Sequence, residues 1–336
     1  MKKLTAIGFF VLVILAGYLS LNRGSQKTPS GIAWKTNRPL QTVSSQPLAV
    51  GPAAHSKVAS VALPRGPMSQ PDWFLPITAT TSIAYQLHDV RMQWTVKGQS
   101  LAITNGPPNP STQLVTSPSG NSIAWPVGSG FEVRTWPNHT HTWPHTQAVA
   151  FSAHHLLTVA RNGSSLAITE PSSTTSPIAL SGTPAQFHPF TSDGRWLATL
   201  SGKHLTWVNT RTGKTLPVAT IASSADWPRL VTVRKVGSTS GWLLMSPGTI
   251  PGYLLVVTTP GGGVHWYRWH SAISPQLVVG ANHLVLDQSE SSGPWWVIGS
   301  SHRHALSISA GLVSDGPQGI IWRASQGFLR LKRVWY

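Results

Sequence analysis

SPSGNSIAW (117–125), followed by FEVRTW (131–136), has a second copy in TSDGRWLATL (191–200), followed by LTWVNTRTGK (205–214). In both, a polar turn leads through Gly into an apolar run, and a second run rich in aromatic and β-branched residues follows closely. Gly supplies the backbone freedom of a tight turn. Val, Ile, Trp and Thr suit a pleated, half-buried surface. Each copy therefore reads as a turn and two consecutive strands.

Working outward, fainter copies appear in SAHHLLTVA with SLAIT, GWLLM with VHWYRW, GANHLVLD with WWVIG, and SDGPQGIIW with FLRLKRV. The turns centre near Thr80, Gly120, His154, Gly194, Gly241, Asn282 and Gly316, 34 to 47 residues apart. That period is the length of a propeller blade of four short strands. The expected fold is all-β, a seven-bladed β-propeller over residues 72–336, with six and eight as the neighbouring blade counts. Neither long amphipathic helical spacing nor βαβ alternation is present, which sets aside Rossmann and TIM architectures.

The turns Ser117-Pro118-Ser119-Gly120 and Ser192-Asp193-Gly194 resemble those of the WD40/YVTN-type β-propeller repeat superfamily. The resemblance spans most of residues 72–336 in degenerate form and lacks the Gly-His and Trp-Asp signatures of true WD40 repeats. It implies a ring of blades that binds through loops on one face.

From Gly316 only enough chain remains for two strands, so the last blade needs an outer strand from elsewhere to avoid an open edge. Val58–Leu63 is the candidate, expected beside Phe328–Val334. The basic end of that strand, Arg330, Lys332 and Arg333, reads as edge protection rather than a nucleic-acid patch.

Composition agrees with this architecture. Only 10% of residues are charged while 40% are hydrophobic, which disfavours long wet helices and favours short strands around a large core. The net charge of +16 is half accounted for by residues 1–71, which carry eight Lys/Arg and no acid. There is no cysteine, hence no disulfide framework or thiolate metal site. Few acids beside 14 His fit an exterior facing acidic medium.

Leu4–Leu21 is uncharged, follows Lys2 and Lys3, and is long enough to cross a bilayer core. It is expected to be an uncleaved signal anchor, a single transmembrane helix over residues 1–21, with a cleaved signal peptide as the rival reading. The propeller is expected on the extracytoplasmic side of the cell membrane, although Arg23, Lys27, Lys35 and Arg38 oppose that orientation by the positive-inside rule. Residues 22–71, rich in Ser, Pro, Gln and Thr, read as a flexible linker.

Chemistry-bearing clusters are sparse. His139 and His141, two apart, would share a strand face as imidazole ligands, with His145 and His154-His155 nearby. The surrounding TWPNHTHTWPHT, with two prolines, reads instead as a loop, and His302 and His304 carry less signal. Asp193 and Asp315 precede Gly in turns, Glu132 lies next to Arg134 in a strand, and Asp287 with Glu290 is the only acid pair close in sequence. Gly261-Gly262-Gly263 joins two strands and reads as a hairpin turn. No nucleophile elbow, P-loop or HExxH helix is found, and no cofactor is expected.

Sixteen Trp stand out. Trp125, Trp196, Trp207, Trp242, Trp266 and Trp322 fall in strands and are expected between blades. Trp143, Trp227, Trp295 and Trp296 lie near turns and are the candidate ligand-binding residues. The expected function is a non-catalytic protein-binding or scaffolding module. The alternatives are a propeller hydrolase or lyase and a carbohydrate-binding module, with a protein or polysaccharide as partner outside the cytoplasm.

Overall fold

The computed structural model describes residues 47–336 except 64–67, 69, 152–155, 163–164, 172–173, 175, 222–225, 260–262, 281, 289–294, 309–312, 317–318 and 325–326. These residues form seven separate sheets, each built on antiparallel strands joined in sequence. Blades 1–6 occupy residues 73–104, 115–143, 146–180, 183–220, 229–270 and 276–306. Blade 7 takes its first three strands from residues 313–335. First strands touch between blades 2 and 3, 5 and 6, 6 and 7, and 7 and 1, which places them toward the centre of the ring.

The repeat seen in the sequence is the turn from the first to the second strand of each blade, followed by the second and third strands. Gly120 and Gly194 sit in such turns at φ of +72° and +67°, where an L side chain is strained. Thr80 and Asn282 occupy equivalent turns, and Gly316 ends the first strand of blade 7. Gly241 lies slightly inside the following strand, the turn of blade 5 being made at Gly237. His154, with His155, lies outside the described residues.

Closure uses the N-terminal segment. His55–Val61 pairs antiparallel with Gly327–Trp335, with Val58 opposite Leu331 and Val61 opposite Phe328. Arg330, Lys332 and Arg333 are thus on a third strand covered by a fourth. The exposed edge belongs to His55–Val61, which carries Lys57.

The ordered ring begins earlier than the expected boundary at Asp72. Leu48 donates its N–H to the Trp266 carbonyl at 2.6 Å on the outer strand of blade 5. Ala49–Val50 then adds in parallel to His302–Leu306 as a fifth strand of blade 6. Residues 47–61 are therefore a strap along three blades rather than a linker. Edge pairing asks for backbone hydrogen bonds and few buried side chains, here Leu48 and Ala54, so a polar, Pro-rich composition hides it.

The strap is pinned from outside by His304. Its Nδ1 lies 3.0 Å from the Pro52 carbonyl, and its ring stacks on Tyr336 at 3.7 Å between centroids. Gly51 passes so close beneath that a Cβ there would lie 2.3 Å from the imidazole.

The tryptophans explain how the blades hold together. Trp207 on the third strand of blade 4 meets Trp242 on the second strand of blade 5, with centroids 4.8 Å apart. Trp295 of blade 6 meets Trp322 of blade 7 in the same way at 5.7 Å. Trp94 of blade 1 shares a buried cluster with Trp125 of blade 2 and donates its indole N–H to the Gly120 carbonyl. Trp73 donates to the Val313 carbonyl, joining blade 1 to blade 7. Large flat side chains bury much area, and the indole N–H finds a neighbouring carbonyl. Trp196 and Trp266 are partly buried against the same interior.

Among the described residues no helix is long and apolar enough to cross a membrane. The expected span at residues 4–21 lies outside the described residues.

Candidate functional site

The backbone departs from the regular meander where blade 4 meets blade 5. After pairing with blade 4 at Thr183–Pro184, the chain departs sideways: Gln186 and Phe187 donate their N–H groups to the carbonyls of Leu230 and Val231 on the first strand of blade 5. That strand is bulged between Leu230 and Thr232. His188 follows at φ +48°, and Phe190 rejoins blade 4 opposite Leu197. Bulges and non-glycine residues at positive φ are costly and concentrate at sites that use them.

His188 stands at the apex of this excursion, on the wall of a cavity of about 230 Å³. The other walls are Thr232 and Arg234 of blade 5, residues 274–278 leading into blade 6, and residues 109–113. The last segment links blade 1 to blade 2, yet its single helical turn, Pro110–Gln113, touches the first strand of blade 7. Gln113 holds the turn by accepting the Asn109 N–H at 3.1 Å. Ser274 at the mouth is exposed, and Phe187, Val231, Leu277 and Val278 give the cavity an apolar side.

Four buried polar atoms at this cavity have no hydrogen-bond partner: Asn109 Oδ1, Ser111 Oγ, His188 Nε2 and Thr232 Oγ1. Buried polar atoms are ordinarily paired, so four unpaired ones on residues lining one cavity mark it as a place that could receive something polar. Burial holds the His188 imidazole well below its usual pKa, and the Arg234 charge adds to this, while the Ser111 backbone acts against it. His188 is thus neutral at pH 7.

A pH dependence follows. Below pH 6.5 the unfolded chain protonates this histidine while the folded chain does not, so its contribution is full at neutral pH and is lost as pH falls. Chemical denaturation at pH 7 and pH 5 should show lower stability at pH 5, by a margin that shrinks in His188→Gln. This histidine opposes, rather than assists, life in acidic medium.

The residues singled out in the sequence fall elsewhere. His139 and His141 lie on an outer strand of blade 2, His139–Trp143, not in a loop, because the two prolines bracket the strand instead of interrupting it. Both are exposed, and His141 packs on Trp143 at 4.4 Å. Among the described residues no group of three or more His, Cys, Asp or Glu is placed to hold a metal. Trp295 is fully buried against Trp322, and Trp227 is buried beneath Arg268. Trp296 is half-buried, with Arg303 over its ring at 4.4 Å and its N–H donated to Gln288. Trp143 ends the outer strand with its carbonyl against Gly130.

Several acids serve the fold. Glu132 pairs with Arg134 at 2.6 Å, Asp193 accepts from Thr191 and the Arg195 N–H in its turn, and Asp72 bonds to Arg323 and the Leu87 N–H across blades 1 and 7. Asp287 is buried, while Glu290 lies outside the described residues. Gly261 and Gly262 also lie outside them, between two strands that pair as a hairpin.

The seven sheets make a seven-bladed β-propeller, and the solved structures similar to it include WD40 propeller domains. No protein-family model matches the sequence, and no curated protein matches it. Among solved structures, a chain of a mitotic checkpoint complex is similar at 11% identity, with 82% of this chain and 98% of that chain covered and a TM-score of 0.49. The WD40 β-propeller domain of Doa1 is similar at 10% identity over 82% and 97% of the two chains, TM-score 0.45. The WD40 domain of SCAP from fission yeast is similar at 9% identity over 82% and 97%, TM-score 0.43. The likeness is one of fold.

Proposed function

We propose that this chain is a non-catalytic protein-binding module, displayed on the extracytoplasmic side of the cell membrane by its N-terminal segment. The uncharged run at residues 4–21 supports the anchor.

One observation carries the binding reading. Ile250 and Ile273, 56% and 48% exposed, lie on adjoining loops of blade 5, joined where the Ser271 N–H donates to the Pro251 carbonyl. The loop of Ile273 continues into Ser274 at the cavity mouth, so both isoleucines stand on the face onto which the cavity opens. Single exposed apolar residues are common, but two on coupled, hydrogen-bonded loops above a rigid ring form a ready anchor for a protein partner.

The test is crosslinking in intact cells with tagged full-length chain, wild type against Ile250→Asp/Ile273→Asp. A protein recovered with the wild type should fall at least tenfold in the double variant and stay unchanged in Val58→Asp, on the outer strand of blade 7. Equal recovery in all three would defeat the proposal. Retention on envelope polysaccharide, with no protein recovered, would favour the carbohydrate-binding reading.

A further inference from the structure

We propose that the cavity between blades 4, 5 and 6 binds a small neutral polyol of monosaccharide size. This site is separate from the Ile250 and Ile273 surface and does not depend on it.

Size comes first. About 230 Å³ is several times the ~30 Å³ that one water occupies in the liquid. It is below the range of roughly 300–1,000 Å³ typical of pockets for drug-sized ligands. A ligand of one small ring fits that interval.

Polarity then selects the class. Asn109 Oδ1 accepts hydrogen bonds and does not donate them, and the neutral imidazole of His188 accepts at one ring nitrogen and donates at the other. Ser111 Oγ and Thr232 Oγ1 do either. A carboxylate has no proton for Asn109 Oδ1 and would leave it unpaired. No carboxylate lines the cavity to hold a cation. Alcohol groups donate and accept at once, so a few of them around one ring satisfy all four atoms. The half-buried Phe187 offers an apolar surface to the C–H face of such a ring.

The site is also built rather than incidental. Thr232, 6% exposed, lines the cavity just after the bulge of its strand, and His188 is held by a strained backbone. Residues 109–113 arrive from the far side of the ring to supply Asn109 and Ser111. Leaving buried groups unpaired is costly, and a fitting ligand recovers that cost.

Ligand-observed saturation-transfer NMR on the full chain tests this, in a detergent without a sugar headgroup. The probes are myo-inositol and D-glucose, with acetate and tetramethylammonium as charged controls. At least one polyol should bind in the millimolar range or tighter, and neither ion should. Thr232→Val keeps the side-chain shape and removes the hydroxyl; it should weaken polyol binding about tenfold. Ser111→Ala, on the opposite wall, should weaken it similarly, and unchanged thermal melts would show both variants folded. Preferential binding of acetate, no saturation of either polyol, or polyol binding indifferent to both substitutions would each overturn the proposal.

Discussion

A chain lacking residues 47–61 is expected to melt at least about 10 °C lower than the intact protein and to give a much reduced soluble yield. The segment contributes the seven-residue ladder beside Gly327–Trp335 and the contacts to blades 5 and 6. Its loss bares two strand edges, His302–Leu306 and Gly327–Trp335, and edges of that kind template aggregation. Net backbone hydrogen bonds of about 1 kcal/mol each, with burial of Leu48 and Ala54, outweigh the recovered chain freedom by an estimated ~5 kcal/mol. At roughly 2 °C per kcal/mol for a domain of this size, that is the stated shift. Differential scanning fluorimetry reads it, and an unchanged melt would mean that the ring closes without the strap.

Trp242→Ala should cost about 3–5 kcal/mol, the range for emptying a fully buried aromatic site. Trp242 is completely buried, packs on Trp207 across the blade interface and is hydrogen-bonded to Thr258. Blade faces are fixed by their strands and cannot collapse inward to fill the space. Trp335→Ala is the matched comparison, because that ring is 46% exposed, and it should cost no more than about 1 kcal/mol. Urea denaturation of both variants makes the contrast, and equal midpoints would remove the tryptophan interlock as the source of cohesion.

Much of the ring was legible because its repeat is a local event. A turn that needs Gly or a small polar residue, followed by strands that need branched and aromatic residues, leaves a mark at each blade, and the period then counts the blades. The tryptophan interlock was legible for a related reason, since a large aromatic in a strand has few places to go except inward. The strap was only half visible: Val58 had an apolar pattern, whereas Pro47 to Ala54 joins the ring through its backbone, which composition does not report. His139-Thr140-His141 misled because prolines that bracket a strand look, in one dimension, like prolines in a loop.

The cavity was invisible for a different reason. Its walls come from residues 109–113, 187–188, 231–234 and 274–278, and no pair of these segments is adjacent in sequence. QFHPF (186–190) was the only local hint, a histidine before proline between two phenylalanines. A residue before proline is restricted in its backbone, but nothing in that tendency announces a left-handed conformation.

The path of the strap also sets an order in time. Pro47 meets Trp266, Ala49 and Val50 meet His302 and Arg303, Ala54 meets Leu306, and only then does His55–Val61 require Phe328 to Trp335. Going along the strap, each successive partner segment leaves the ribosome later than the one before. At roughly 5–20 residues per second, strand 55–61 waits on the order of tens of seconds for its partner. During that wait its leading residues can already be moored to blades 5 and 6. Growth of the nascent chain and fastening of the strap thus run in one direction, and closure requires nothing already fastened to be undone.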